Sequence, residues 1–250
     1  IEITLPEDAT GNATLTVDGK NYTVPVVDGV AIFELGNDLP TGDYNFTVTY
    51  NGDNNYQPVS KSANITVTKG DIDPEDVIVE PLDPSHGNTT IEITLPEDAT
   101  GNATLTVDGK NYTVPVVNGA AIFELGNNLT AGEHNFTVIY NGDNNYDPVS
   151  KSGNITVEKG TIEPSNTITV NVTTENITVF ADLPSDATGS VIVTVNGTNY
   201  TITLVDGKGN ITIPTTPGEY DLMVNYTGDN NYNGFVNSTK VIVPEPVAFI

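Results

Sequence analysis

Apolar and polar residues alternate along most of this chain with a period of two. In NATLTV, Asn12 to Val17, the residues Ala13, Leu15 and Val17 fall on one side and Asn12, Thr14 and Thr16 on the other. The same alternation runs through NYTVPV, NFTVTY and NITVT. Successive side chains of a strand point to opposite faces. Strict alternation rich in Val, Ile, Thr, Tyr and Phe therefore predicts strands with one buried and one wet face. No stretch shows helical periodicity. Between the strands stand Asp18-Gly19, Asp28-Gly29, Asp108-Gly109, Asn118-Gly119, Asn196-Gly197 and Asp206-Gly207. Such dipeptides suit type I′ hairpin turns, in which both residues need positive φ.

The pattern itself repeats. Residues 1–70 and 91–160 are identical at 59 of 70 positions, a period of 90. A diverged third copy follows, LPSDATGSVIVTVNGTNYTITLVDGKGNITI from Leu183 and PGEYDLMVNYTGDNNY from Pro217. A repeat this long suits independent domains in tandem better than solenoid units. In the second copy, strands are predicted at about 77–80, 90–95, 103–107, 112–117, 120–125, 134–140 and 152–158. Seven short antiparallel strands point to an all-β chain of three tandem immunoglobulin-like β-sandwich domains. Their spans are 1–69, 70–159 and 160–246, with 247–250 starting a further strand. Tyr44 opens the sixth strand in inward phase with Phe46 and Val48, where such folds place a tyrosine corner. Tyr220 repeats it and His134 replaces it.

VDGKNYTVPVVDGVAIFEL and LPTGDYNFTVTYNGDNNY resemble the Ig-like repeats of adhesin-like surface proteins of methanogenic archaea and related bacterial Ig-like modules. The resemblance covers essentially the whole chain, although the third copy keeps only NYT and GDNNY of the wording. It implies an Ig-like fold, an extracellular cell-surface location and tandem arrays, and supplies no catalytic residues.

Charge narrows the partners. Thirty-three acidic residues face eight basic ones, all Lys, for a formal charge of −25. The field repels nucleic acid and anionic lipid, and the clustered Lys/Arg of a phosphate-binding surface is absent from the sequence. No apolar run approaches the ~18 residues of a spanning helix, so no membrane insertion is expected of this segment. With no Cys, thiol nucleophiles and Cys-ligated metals are excluded. Only His86 and His134 could serve as imidazole bases, one in a linker and one at a structural Tyr position. No enzyme activity and no cofactor are expected. The expected partners are neighbouring repeats or copies of itself, with a cell-surface glycan or protein as a further ligand.

Three features carry candidate chemistry. Seventeen N-x-T sequons start at Asn12, Asn21, Asn45, Asn64, Asn88, Asn102, Asn111, Asn128, Asn135, Asn154, Asn171, Asn176, Asn196, Asn199, Asn210, Asn225 and Asn237. Nearly all fall in outward phase, as glycosylation needs, although Asn-x-Thr is also how a strand writes a polar face. Acidic loops come second. Asp8, Asp98 and Asp186 recur after the second strand, and Asp53, Asp143 and Asp229 recur in GDNNY. Calcium takes six to eight hard oxygens, and Asp71, Asp73, Glu75, Asp98 and Asp143 are candidate calcium ligands at the first junction. The second linker, TIEPSN, offers only Glu163, and acidic solubilising turns are the plainer reading of these loops. Third, Tyr56, Tyr146 and Tyr232 close the GDNNY loops. They would be sugar-stacking platforms in a carbohydrate-binding module, or aromatic plugs at the sandwich end. Lys61 and Lys151 lie in inward phase, as an isopeptide lysine would, but no inward acidic partner accompanies them.

The chain ends add one expectation. PEDVIVE, Pro74 to Glu80, reads as a first strand, and Ile1 aligns with Ile91, past it. PEPVAFI, Pro244 to Ile250, matches it in pattern. Either the chain samples a longer array, or residues 247–250 enter domain one of the next molecule and build a head-to-tail filament.

Overall fold

The computed structural model describes residues 1–247. Domain one holds β1 (Glu2–Thr4), β2 (Asn12–Val17), β3 (Lys20–Pro25), β4 (Val30–Ile32), β5 (Gly42–Tyr50) and β6 (Val59–Val67). Domain two holds β7 (Ile78–Asp83), β8 (Thr89–Thr94), β9 (Asn102–Val107), β10 (Lys110–Pro115), β11 (Ala120–Gly126), β12 (Gly132–Tyr140) and β13 (Val149–Val157). Domain three holds β14 (Ile168–Val172), β15 (Asn176–Asp182), β16 (Ser190–Val195), β17 (Thr198–Thr203), β18 (Lys208–Pro214), β19 (Gly218–Gly228) and β20 (Asn233–Val243).

Each domain is two antiparallel sheets. The larger sheets run β3-β2-β5-β6, β10-β9-β12-β13 and β17-β16-β19-β20. The smaller run β11-β8-β7 and β14-β15-β18 in domains two and three, but only β1-β4 in domain one. This is an immunoglobulin-like sandwich in which the fourth strand of domain two, β10, joins the larger sheet. The hairpin dipeptide explains that choice. Asp108 has φ 50° and Gly109 φ 73°, and the turn folds β10 straight back on β9, pairing Lys110 with Val107. All six predicted turn dipeptides show positive φ at both residues.

All seven strands expected in domain two are present, with ends shifted by up to three residues. Two single helical turns were not expected, at Pro74–Asp76 and at Pro164–Thr167 (α1). Both begin on proline, whose fixed φ suits the first helical position. Asp73 caps the first by accepting from the Glu75 amide at 2.9 Å.

Alternation places the apolar faces between the sheets. The buried clusters are separate, one per domain, around Leu15 and Phe33, around Leu105 and Phe123, and around Val193 and Ile213. The corner expectation holds in geometry. Tyr44 Oη donates to the Pro40 carbonyl at 2.8 Å, Tyr220 Oη donates to that of Thr216 at 2.8 Å, and His134 Nε2 lies 2.8 Å from that of Thr130. His134 Nδ1 also meets Asp108 Oδ2 at 2.8 Å. Burial opposes charge on this imidazole, but the Thr130 carbonyl and the Asp108 carboxylate outweigh it and raise its pKa.

Candidate functional site: the domain junctions

The GDNNY loop is folded by its own aspartate. Asp143 Oδ1 accepts from the amides of Asn145 and Tyr146 at 2.7 and 2.8 Å. Its Oδ2 accepts from the amide and hydroxyl of Thr100, both at 2.7 Å. Asp53 and Asp229 make the same four bonds in their domains. Burial alone would raise the Asp143 pKa. The donors from Thr100, Asn145 and Tyr146 overcome it and hold the carboxyl well below the usual range. The loop tyrosine is tied at its other end. Tyr56, Tyr146 and Tyr232 donate to Asp8, Asp98 and Asp186 at 2.7, 2.7 and 2.9 Å. The bond to Asp98, with burial, pushes the Tyr146 phenol up to about 12.

This rigid loop receives the linker from the preceding domain. The Gly70 amide donates to the Asn145 carbonyl at 2.8 Å, and the Asp147 amide returns a bond to the Gly70 carbonyl at 3.1 Å. At the next junction Gly160 donates to Asn231 at 2.8 Å and Asn233 donates to Gly160 at 2.9 Å. Each glycine lies against the loop tyrosine. A Cβ on Gly70 would stand 3.4 Å from the Tyr146 ring, and one on Gly160 would stand 3.0 Å from Tyr232 and 2.5 Å from the His86 carbonyl. Two residues on, Ile72 and Ile162 bury into the cores of domains two and three.

Side chains close each junction. Asn37 donates to Asp98 at 2.9 Å across the first. At the second, the Ala131 amide donates to Asn231 Oδ1 at 3.1 Å. His86, only 2% exposed, sets Nδ1 2.6 Å from the Leu129 carbonyl and Nε2 2.8 Å from Asp186 Oδ2, with the Tyr232 ring edge-on at 5.0 Å. From the sequence His86 reads only as a linker residue, and neither the linker glycines nor their contact with GDNNY is evident. The signal was present: KG precedes Ile72 and Ile162 in both linkers, and the Asp/Tyr pairs keep nearly constant separations of 48, 48 and 46 residues.

The proposed calcium ligands do not assemble. Among the described residues, no group of three acidic or imidazole side chains is placed to hold a metal. Asp71, Asp73 and Glu75 are exposed on the linker. Asp73 caps its turn, Asp98 accepts from Tyr146 and Asn37, and Asp143 is engaged by its own loop and by Thr100. Tyr146 and Tyr232 stand as struts between Asp and linker, half-buried and buried respectively, and Tyr56, half-buried, is tied to Asp8. Fifteen of the seventeen sequon asparagines are exposed, while Asn176 and Asn225 are half-buried. Lys151 Nζ donates to the Val77 carbonyl at 2.8 Å, whereas Lys61 is exposed. Of the strand expected at 247–250, residues 248–250 lie outside the described residues, and Val247 is exposed.

Residues 79–158, nearly all of domain two, match the family described as Bacterial Ig-like domain (group 3). No curated protein matches the chain. Among solved structures, one on host cell surface retention of a 1.5-MDa bacterial ice-binding adhesin is 15% identical, covering 96% of this chain and 87% of that one, at a TM-score of 0.31. A two-domain fibronectin type III segment of chicken tenascin is 18% identical over 67% of this chain and 97% of its own, at 0.38. The FN1–FN3 domains of chicken CNTN1 are 10% identical over 98% of both chains, at 0.33. At such scores these likenesses carry no weight of their own. The sandwich assignment stands on strand order and register, and domain two is similar to a bacterial Ig-like domain.

Proposed function

We propose that this chain is a non-catalytic structural or adhesive segment of a cell-surface protein, a stalk or adhesin segment held outside the cell. One observation carries the reading: the two junctions are built by the same device, a linker glycine bonded on both sides by the next GDNNY loop. Each junction uses the hydrogen-bonded GDNNY loop to hold the linker of the preceding domain, an arrangement that suits an extended array. The match of domain two to a bacterial Ig-like domain supports it, as does the strongly acidic surface. N-glycans on the exposed sequons and an archaeal host extend the same reading.

Two measurements test it. Immunogold labelling of intact host cells should decorate the surface; label confined to the cell interior would contradict the proposal. Small-angle scattering should give a radius of gyration well above the ~18 Å of a compact 250-residue globule. A value near that figure would contradict the extended array.

A further inference from the structure

We infer that the junction between domains two and three is a proton-operated latch: His86 bridges the two domains as an imidazolium, so the joint is firm in acid and loosens as the ring gives up its proton. His86 sits on the β7–β8 connection of domain two and is 2% exposed. Its Nδ1 lies 2.6 Å from the Leu129 carbonyl of its own domain. Its Nε2 lies 2.8 Å from Oδ2 of Asp186, on the β15–β16 connection of domain three. Both ring nitrogens therefore face acceptors. A neutral imidazole has one N–H and one lone pair, and only the imidazolium donates from both nitrogens. With a neutral ring, one of the two oxygens meets a lone pair at hydrogen-bond distance. Asp186 is a poor source of the missing proton. Its Oδ1 accepts from Tyr232 Oη at 2.9 Å. Burial alone would raise the Asp186 pKa, but His86, Tyr232 and its own amide outweigh burial and hold the carboxyl below the usual range. It meets the ring as an anion.

The other charges nearby are engaged elsewhere. From domain three, besides Asp186, the Tyr232 ring stands edge-on at 5.0 Å. Asp229, in the same loop, accepts from Thr188 and from the Asn231 and Tyr232 amides. From domain two, Glu158 holds the His86 amide through its carbonyl, and its side chain is exposed. Lys159 donates to the Asp229 carbonyl, and Asp83 is engaged by Ser85. The charge that His86 meets thus belongs to the opposite domain. Docking brings that carboxylate to the ring and opening takes it away. The docked junction binds the proton more tightly than the open one, so docking takes up a proton. The added firmness is full in acid and is lost as pH rises through the docked titration. The latch is a property of this junction whether or not the chain is a surface stalk.

The test uses the whole chain carrying His134→Tyr, which gives domain two the corner residue of the other domains and leaves His86 the sole imidazole. Two amides report the joint. Ala131 donates to Asn231 Oδ1 at 3.1 Å, and Asn233 donates to the Gly160 carbonyl at 2.9 Å. Their exchange is measured from pH 5 to 8, the range in which imidazoles change charge, as a ratio to the free-peptide rate at each pH. Protection should fall severalfold as pH rises, by at most about tenfold per pH unit, the limit for one proton. His86→Gln and Asp186→Asn should each flatten the profile. Nitrogen NMR of the imidazole in the His134→Tyr chain reads the proton directly, and at pH 5 both His86 nitrogens should carry one. A flat profile with His86 and Asp186 in place, a slope that survives either substitution, or a neutral His86 ring at pH 5 would overturn the inference.

Discussion

Domains one and two differ at 11 of 70 aligned positions, yet they bury the same residues very differently. Ile91 is fully buried and Ile1 half-exposed; Val149 is 8% exposed and Val59 58%. None of these side chains differs between the repeats. What differs is the segment laid over them: residues 70–83 cover domain two, whereas the equivalent positions for domain one fall ahead of Ile1, so that among the described residues its smaller sheet has two strands to the other's three. A side chain's contribution to stability is set by the neighbours that exclude water from it, more than by its identity.

Equal substitutions should therefore have unequal costs. Ile93→Ala should cost domain two about 2–5 kcal/mol, as truncation of a close-packed core residue does. Ile3→Ala should cost domain one clearly less, because the half-buried site loses less contact. Denaturation followed by domain-resolved hydrogen exchange reads both. Next, Val149→Ala should cost about 1–2 kcal/mol, at roughly 0.8 kcal/mol per buried methylene-sized group, and Val59→Ala should stay within about 0.5 kcal/mol. Equal penalties in either pair would break the comparison.

The junctions sharpen it. Gly160→Ala forces a Cβ to 2.5 Å from the His86 carbonyl, whereas Gly70→Ala meets the Tyr146 ring at a tolerable 3.4 Å. The first should speed exchange of the Asn233 amide by tenfold or more, about 1.4 kcal/mol. The second should leave the Asp147 amide protected.

The smallest effect concerns the corner residue. His134 has a raised pKa in the folded domain. Its contribution is then fully present below the unfolded value, about 6.5, and is lost as pH rises through the folded value. Domain two should lose stability across that window at no more than about 1.4 kcal/mol per pH unit, the limit for one proton. Domain one, with Tyr44 at the corner, should show no such slope, and His134→Tyr should abolish it in domain two. Denaturant midpoints measured from pH 6 to 9 decide the point.

The strands were legible because burial on one face forces alternation, and the hairpins because few residues accept positive φ in succession. Both signals are local. The junctions were not legible, because Gly70 and Gly160 act through backbone groups that carry no side-chain signature. The acidic loops were only partly legible for a related reason. The sequence shows carboxylates at Asp98 and Asp143 but not the partners that engage their oxygens, Tyr146, Asn37, Thr100 and the loop's own amides. The tyrosine corner could be read because its partner lies four residues away, within the same motif.

Exchange at two equivalent amides tests most directly the claim that a docked linker makes the difference between the domains. Asp147 donates to Gly70, while its counterpart Gln57 has no backbone acceptor among the described residues. Native-state exchange should show Asp147 protected and Gln57 exchanging near the free-peptide rate. Equal protection at both would contradict the account.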